Sequence, residues 1–285
     1  MSKPTLYTFG GSVWVHAPLI AITEGGYAPG DIKLETVNLA EGANFNPEFL
    51  KVNHNGTVPV LVSADGHKYE STISSVKEIL KHAPKPPAHD AHHTHELDKI
   101  IKEIHNPAHD PNDLFVLPVD DADREAKAKG VVGGFLAGRQ KALDTYAPTA
   151  PAEFKSFLEG KQRANGHLLA FFTGNPDQEA RTALYTSAQN LWASAGTFIR
   201  GEVTHLLKKS SGPYLAGTEP GEADFHLVTW LARIITDAGV PPGSISGVAL
   251  KAVEARTGGQ PIDPVVAGFW DSWTQRESFK VNNVA

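Results

Sequence analysis

Two short stretches of this sequence carry residue types whose spacing can do chemistry. Asn55-Gly56-Thr57-Val58-Pro59-Val60-Leu61 puts a proline at the head of the apolar run Val60-Leu61-Val62. Proline lacks a backbone donor, so it fits at the start or edge of a strand. Eleven residues after Pro59 come Glu70 and Ser71. Ser71-Thr72 then opens a helical pattern of Ile73, Val76, Ile79 and Leu80, at spacings of three and four. A helix start presents free backbone amides. With a hydroxyl and a carboxylate beside them, these can recognise a ligand that carries both a carboxylate and an ammonium group. A second hydroxyl, Ser12, follows Gly10-Gly11 and precedes another helical pattern. There it can donate to an anion or cap the helix. Tyr7 is the rival donor, since a phenol with a pKa near ~10 donates more strongly than an aliphatic hydroxyl. It lies inside a strand pattern, where it equally reads as an ordinary strand aromatic.

The elements that must position these groups follow from periodicity. Residues 4–8 read as a first strand, and Leu19, Ile20 and Ile22 as a helix ending near Gly25-Gly26. Residues 31–37 alternate polar and apolar, the period of a half-buried strand. Asn46-Pro47-Glu48-Phe49-Leu50 reads as a capped short helix with proline at its first position. The order is βαβαββα, a thioredoxin-like layout. Ala83-Pro84-Lys85-Pro86-Pro87 cannot continue a helix, so residues 1–82 form the first domain, 83–93 a linker and 94–285 an all-helical domain. Helices are expected over about 121–146, 151–172, 176–209, 221–237, 246–256 and 262–275. Gly130, Gly133 and Gly134 weaken the first of these. The proline-bearing stretch 105–119 reads as a long loop over the active site.

The Val58-Pro59 run with its Glu70-Ser71 pair resembles the glutathione-binding half of the glutathione transferase superfamily. Further on, Gly221-Glu222-Ala223-Asp224 precedes Phe225, Leu227, Val228, Leu231, Ile234 and Ile235. This is similar to the capped central helix of the family's second domain, with Gly221 where the family usually carries Ser or Thr. The long central and C-terminal segments are most similar to fungal members.

The resemblance implies an α/β N-terminal thioredoxin-like domain followed by an all-α C-terminal helical domain. It implies a cis bond between Val58 and Pro59, with the Val58 backbone pairing with the cysteinyl part of glutathione. Glu70 is assigned to the ammonium and Ser71 to the carboxylate of the γ-glutamyl end. Thr57 stands where several classes place a Gln. Lys51 and His54 are candidates for the glycine carboxylate. Ser12 would donate to the glutathione sulfur, as in serine-type members, with Tyr7 as the tyrosine-type alternative. Phe9, Trp14, His105, His109 and Phe115 are candidates for the electrophile pocket. The implied activity is attack of a stabilised glutathione thiolate on a hydrophobic electrophile or hydroperoxide, a detoxification. Glutathione is then a co-substrate, with no permanently bound cofactor, and the protein is a homodimer. The alternative is a non-catalytic glutathione- and ligand-binding protein of the same fold.

Composition narrows the classes. The 285 residues are 41% hydrophobic and 20% charged, enough for substantial cores. A net charge of −6 with no basic run argues against a nucleic-acid partner. No apolar stretch approaches a membrane span, and a strand pattern begins almost at once, so a cytoplasmic location is expected. Cysteine is absent, which excludes disulfides, thiolate metal sites and a cysteine nucleophile. His89, His92, His93 and His95, then His105 and His109, invite a metal reading, but no recognised ligand spacing appears and none is expected.

Overall fold

The computed structural model describes residues 3–87, 94–282 and 284. His89, His92, His93 and most of the expected linker lie outside the described residues. The strands are β1 (Thr5–Thr8), β2 (Lys33–Thr36), β3 (Val60–Val62) and β4 (Lys68–Tyr69). The helices are α1 (His16–Glu24), α2 (Pro47–Leu50), α3 (Thr72–Lys81), α4 (Thr94–Ile104), α5 (Pro111–Val116), α6 (Asp121–Lys129), α7 (Val131–Tyr146), α8 (Ala152–Thr173), α9 (Gln178–Phe198), α10 (Thr204–Lys209), α11 (Glu222–Asp237), α12 (Ser246–Arg256), α13 (Pro264–Gln275) and α14 (Glu277–Val281). The start of the chain is therefore βαβαββα, a thioredoxin-like domain, and a mostly helical region follows.

The chain packs as two compact units, each drawing on three separate stretches of the sequence. The first unit comprises Met1–Ser12, Ile32–Ser71 and Phe115–Gln189; the second comprises Val13–Asp31, Thr72–Leu114 and Asn190–Ala285.

The first unit holds the sheet, in the order β2-β1-β3-β4. β1 pairs parallel with β2 and antiparallel with β3, which in turn pairs antiparallel with β4. Leu6, opposite Leu61, is fully buried. Of the apolar positions in the half-buried reading of 31–37, Ile32 and Val37 are buried and Leu34, on the edge strand β2, is 53% exposed. The Asn46 side chain accepts from the Glu48 amide and caps α2, with Pro47 at its first position. Phe45, Leu50, Leu143, Ala147, Phe154 and Leu158 form one core cluster, and Val132, Leu136, Phe171 and Phe172 another.

Three expected elements differ. The helix expected over 121–146 is two helices, α6 and α7, separated at Gly130, whose backbone is extended. The stretch expected over 176–209 is α9, a π-helical turn at Ile199–Val203, and α10. The stretch 105–119 is not a long loop: it contains a 3-10 turn at Pro107–His109 and α5.

The core of the second unit is α11. Its Phe225, Leu227, Val228, Trp230, Ile234 and Ile235 are fully enclosed. A helix apolar on nearly every side belongs inside a protein. Its start is fixed by Asp224, which is 0% exposed. The Asp224 carboxylate accepts from the amides of Leu215 at 2.6 Å, Ala216 at 3.1 Å and Gly221 at 2.9 Å. Gly221 has no side chain to complete a reciprocal cap, so the carboxylate does this alone. Burial pushes its pKa up to about 6, opposed by the three amides. The C-terminal end of α1 is tied to the chain's last helices by Glu24. Arg276 grips that carboxylate with two bonds of 2.8 Å, and Ser278 donates to it at 2.5 Å.

Asp224→Ala leaves three buried amides without an acceptor and should lower stability by about 3–5 kcal/mol. Asp224→Asn, which keeps one acceptor oxygen, should lose clearly less. Urea unfolding midpoints of the two variants check this order.

Candidate functional site

The expected glutathione-side residues are Ser12, Lys51, His54, Thr57, Val58, Pro59, Glu70 and Ser71, and the first unit contains them all, together with Phe9, a candidate for the electrophile pocket. The Val58–Pro59 peptide is cis, as the resemblance implied. Both residues are buried just ahead of β3, whose Val60 pairs with Tyr7.

Two buried asparagines hold the loop that leads to this peptide. Asn53, 0% exposed, donates to the Thr57 carbonyl at 2.9 Å and to the Thr57 hydroxyl at 3.0 Å. Its own carbonyl oxygen accepts from the Asn55 amide at 2.9 Å. Asn44, also buried, donates to the Gly56 carbonyl at 2.7 Å. Gly56 takes φ of +61°, a conformation that favours glycine. Neither Asn44 nor Asn53 was among the expected site residues. The Asn53-His54-Asn55-Gly56 pattern, with two Asx residues and a glycine, is the turn signal that could have revealed one of them.

Glu70 and Ser71 are exposed and lie between the end of β4 and the first residue of α3. Ser12 closes a turn in which its amide donates to the Phe9 carbonyl at 2.8 Å. The 3-10 turn Val13–Val15 separates it from α1, and the N-cap of α1 is Val15, with no side-chain bond. Ser12 therefore does not cap α1, and its hydroxyl forms no bond among the described residues. A Cβ on Gly11 would lie 2.9 Å from the Phe9 ring, so a side chain there would push that ring aside. Tyr7 packs edge-on against Phe49, with ring centroids 5.8 Å apart, as a strand aromatic does. Thr57 turns its hydroxyl toward Asn53. Lys51 is exposed and paired with Glu48 at 2.7 Å. His54 is exposed and lies edge-on to Phe154.

The candidates for the electrophile pocket are divided between the two units. In the second unit, the Trp14 ring lies 4.1 Å from that of His105, whose Nε2 shares a hydrogen bond of 3.0 Å with Nδ1 of His226. His226 was not anticipated, because it lies 121 residues from His105 in sequence. His109 is a core residue, which corrects its expected place on a pocket wall. It is 2% exposed, stacks on Phe198 at 4.5 Å and bonds the Glu103 carbonyl through Nε2 at 2.7 Å. Phe115, in the first unit, packs against Phe135 beside the cluster of Val132 and Phe171. Among the described residues, no cluster of His, Asp or Glu could hold a metal ion. Among them also, no helix is long and apolar enough to cross a membrane.

Residues 2–73 match the family described as glutathione S-transferase, N-terminal domain. No curated protein matches the sequence. Three solved structures illustrate the shared fold. The beta-etherase LigF of Sphingobium sp. strain SYK-6 has a TM-score of 0.60 at 15% identity, covering 98% of both chains. The theta class glutathione S-transferase of the citrus canker pathogen Xanthomonas axonopodis pv. citri, with glutathione bound, has a TM-score of 0.55 at 17% identity, covering 100% of this chain and 99% of that one. Glutathione transferase F2 of Populus trichocarpa has a TM-score of 0.55 at 14% identity, covering 98% and 97%. Residues 2–73 are thus a glutathione S-transferase N-terminal domain, and the chain shares the fold of these solved structures.

The buried histidines give the second unit a pH dependence. Burial lowers the His105 pKa to about 4 and holds that of His226 well below its usual value. Below about pH 6.5 the unfolded chain takes up protons that folded His105 refuses until about pH 4, so its contribution to stability is lost as pH falls through that window. His105→Phe, which keeps a ring beside Trp14, should flatten the decline by up to about 3 kcal/mol. Urea midpoints of both proteins between those pH values check it. In the first unit, Asn53→Ala should cost about 2 kcal/mol and Thr57→Val less than about 1 kcal/mol, measured in the same way.

Proposed function

We propose that this protein is a glutathione transferase of the serine type. The observation that carries the reading is the βαβαββα domain matching the family over residues 2–73, with Glu70 and Ser71 just ahead of α3. In this reading residues 1–82 bind glutathione and residues 94–285 supply most of the electrophile wall. The Val58 backbone pairs with the cysteinyl part of the tripeptide, Glu70 takes its ammonium and Ser71 its γ-glutamyl carboxylate. Thr57 touches the peptide from the Asn53-held loop. Lys51 and His54 face the glycine end, with Lys51 first giving up Glu48.

Ser12 donates its hydrogen to the sulfur, which stabilises the thiolate over the thiol. That its hydroxyl has no other bond and no capping role supports this assignment. The thiolate then attacks a hydrophobic electrophile, forming the sulfur–carbon bond and expelling a leaving group, or attacks the terminal oxygen of a hydroperoxide, forming a sulfur–oxygen bond as the oxygen–oxygen bond breaks and the alkoxide leaves to be protonated to the alcohol. The protein contributes proximity and a stabilised charge. No cysteine is available for a thiol-exchange route. A cytoplasmic homodimer with a detoxifying role completes the reading, and light scattering at micromolar concentration should give the mass of two chains.

The central experiment follows the bound thiolate by ultraviolet titration. Ser12→Ala should raise its midpoint by about one to two pH units while leaving glutathione binding at low pH nearly intact. Tyr7→Phe should change it little. The reverse pattern would make Tyr7 the donor. Absence of any thiolate near neutrality, with glutathione still bound, would favour a non-catalytic binding protein. Glu70→Ala and Ser71→Ala should each weaken glutathione by about 1.5–3 kcal/mol in calorimetry. Unchanged affinity in both would remove the assignment.

A further inference from the structure

Arg139, on α7, is a half-buried cation with no acceptor of its own. It donates no hydrogen bond and makes no ion pair among the described residues. Arg124, Arg200 and Arg276, by contrast, all reach carbonyl, hydroxyl or carboxylate oxygens. The Arg139 guanidinium carbon lies 4.8 Å from the ring centroid of Phe45 and 4.9 Å from that of Phe135. The two rings replace water around the charge. Burial lowers its pKa to about 10, so it stays cationic at neutral pH, and no carboxylate opposes the shift. Its nitrogens are not among the enclosed, unpartnered atoms, so the donors remain reachable.

The helix that carries Arg139 lies close against residues 40–42. A Cβ on Gly138 would lie 2.1 Å from the Ala40 carbonyl oxygen, and one on Gly42 would lie 2.5 Å from the Ala142 Cβ. The two glycines let the backbone of α7 press directly against residues 40–42. A desolvated planar fork of five donors, seated on a rigid element and left without an internal partner, is suited to a ligand's carboxylate. Phe135 continues the apolar surface toward Phe115, with ring centroids 6.2 Å apart.

We propose that Arg139, backed by the buried ring of Phe45, forms with Phe135 a binding site for an organic acid, its carboxylate on the guanidinium and its aromatic body along Phe135. This goes beyond the glutathione reading and does not require it. The test is calorimetry with 1-naphthoate and with the uncharged 1-naphthalenemethanol. The unmodified protein should bind the carboxylate at least about ten-fold more tightly, as an arginine fork predicts. Arg139→Gln should erase that preference, and Arg139→Lys, which keeps the charge without the fork, should restore part of it. Saturating glutathione should leave naphthoate binding unchanged. Three results would overturn the proposal: no preference in the unmodified protein, a preference that survives in Arg139→Gln, or naphthoate displaced by glutathione. The last, with glutathione itself weakened in Arg139→Gln, would mean that the carboxylate held is that of glutathione, and the glutathione reading would stand. The first comparison needs no variant, so a variant that fails to fold does not protect the proposal.

Discussion

The side-chain amide of Asn53 is the constraint on which the loop ahead of β3 depends. An amide enclosed in a protein must find partners for its donors and its acceptor, or it costs more than it contributes. Asn53 finds all of its partners within the next few residues, at Asn55 and Thr57. The loop therefore closes on its own interior rather than on solvent. Asn44 adds a second tie at Gly56 from outside the loop. The chain reaches Val58 already shaped, and the backbone proposed to face the tripeptide is presented by a structure that needs no ligand to form it.

The second unit uses the same logic with charge. Asp224 is a buried carboxylate whose cost is offset by three amides from two separate turns of chain. It sets where α11 begins, and α11 is the element around which the unit packs. A raised pKa there and lowered pKa values at His105 and His226 share one cause, burial that disfavours the charged form. They act with opposite sign on stability as pH falls, so this unit has no single acid response.

Much of the layout could be read from local pattern. The order βαβαββα, the proline-led α2 and the bounds of α12 at Ser246–Arg256 all follow from spacing and capping residues. The cis Val58–Pro59 bond was legible only through family resemblance, since sequence alone favours trans. What escaped depends on distant chain. Leu34 looked half-buried because alternation reveals a strand but not whether a neighbour covers it. His105 reads as a lone residue until His226 arrives from 121 positions away. His109 looked like a pocket wall because an aromatic-rich stretch cannot say which rings face inward. Arg139 gave no signal, since the absence of a partner is a property of the folded neighbourhood.

The π-helical turn at Ile199–Val203 has a consequence for phase. Ala195, Ile199 and Val203 are all buried, at two successive steps of four. In an unbroken α-helix, two such steps carry a stripe about 80° around the axis. The wider turn takes up that drift, and Leu206 and Leu207 return to the interior. α9 and α10 thus behave as one rod with an angular correction built into its middle. One residue fewer in that turn would leave both helices intact and rotate every side chain after it to face the wrong way.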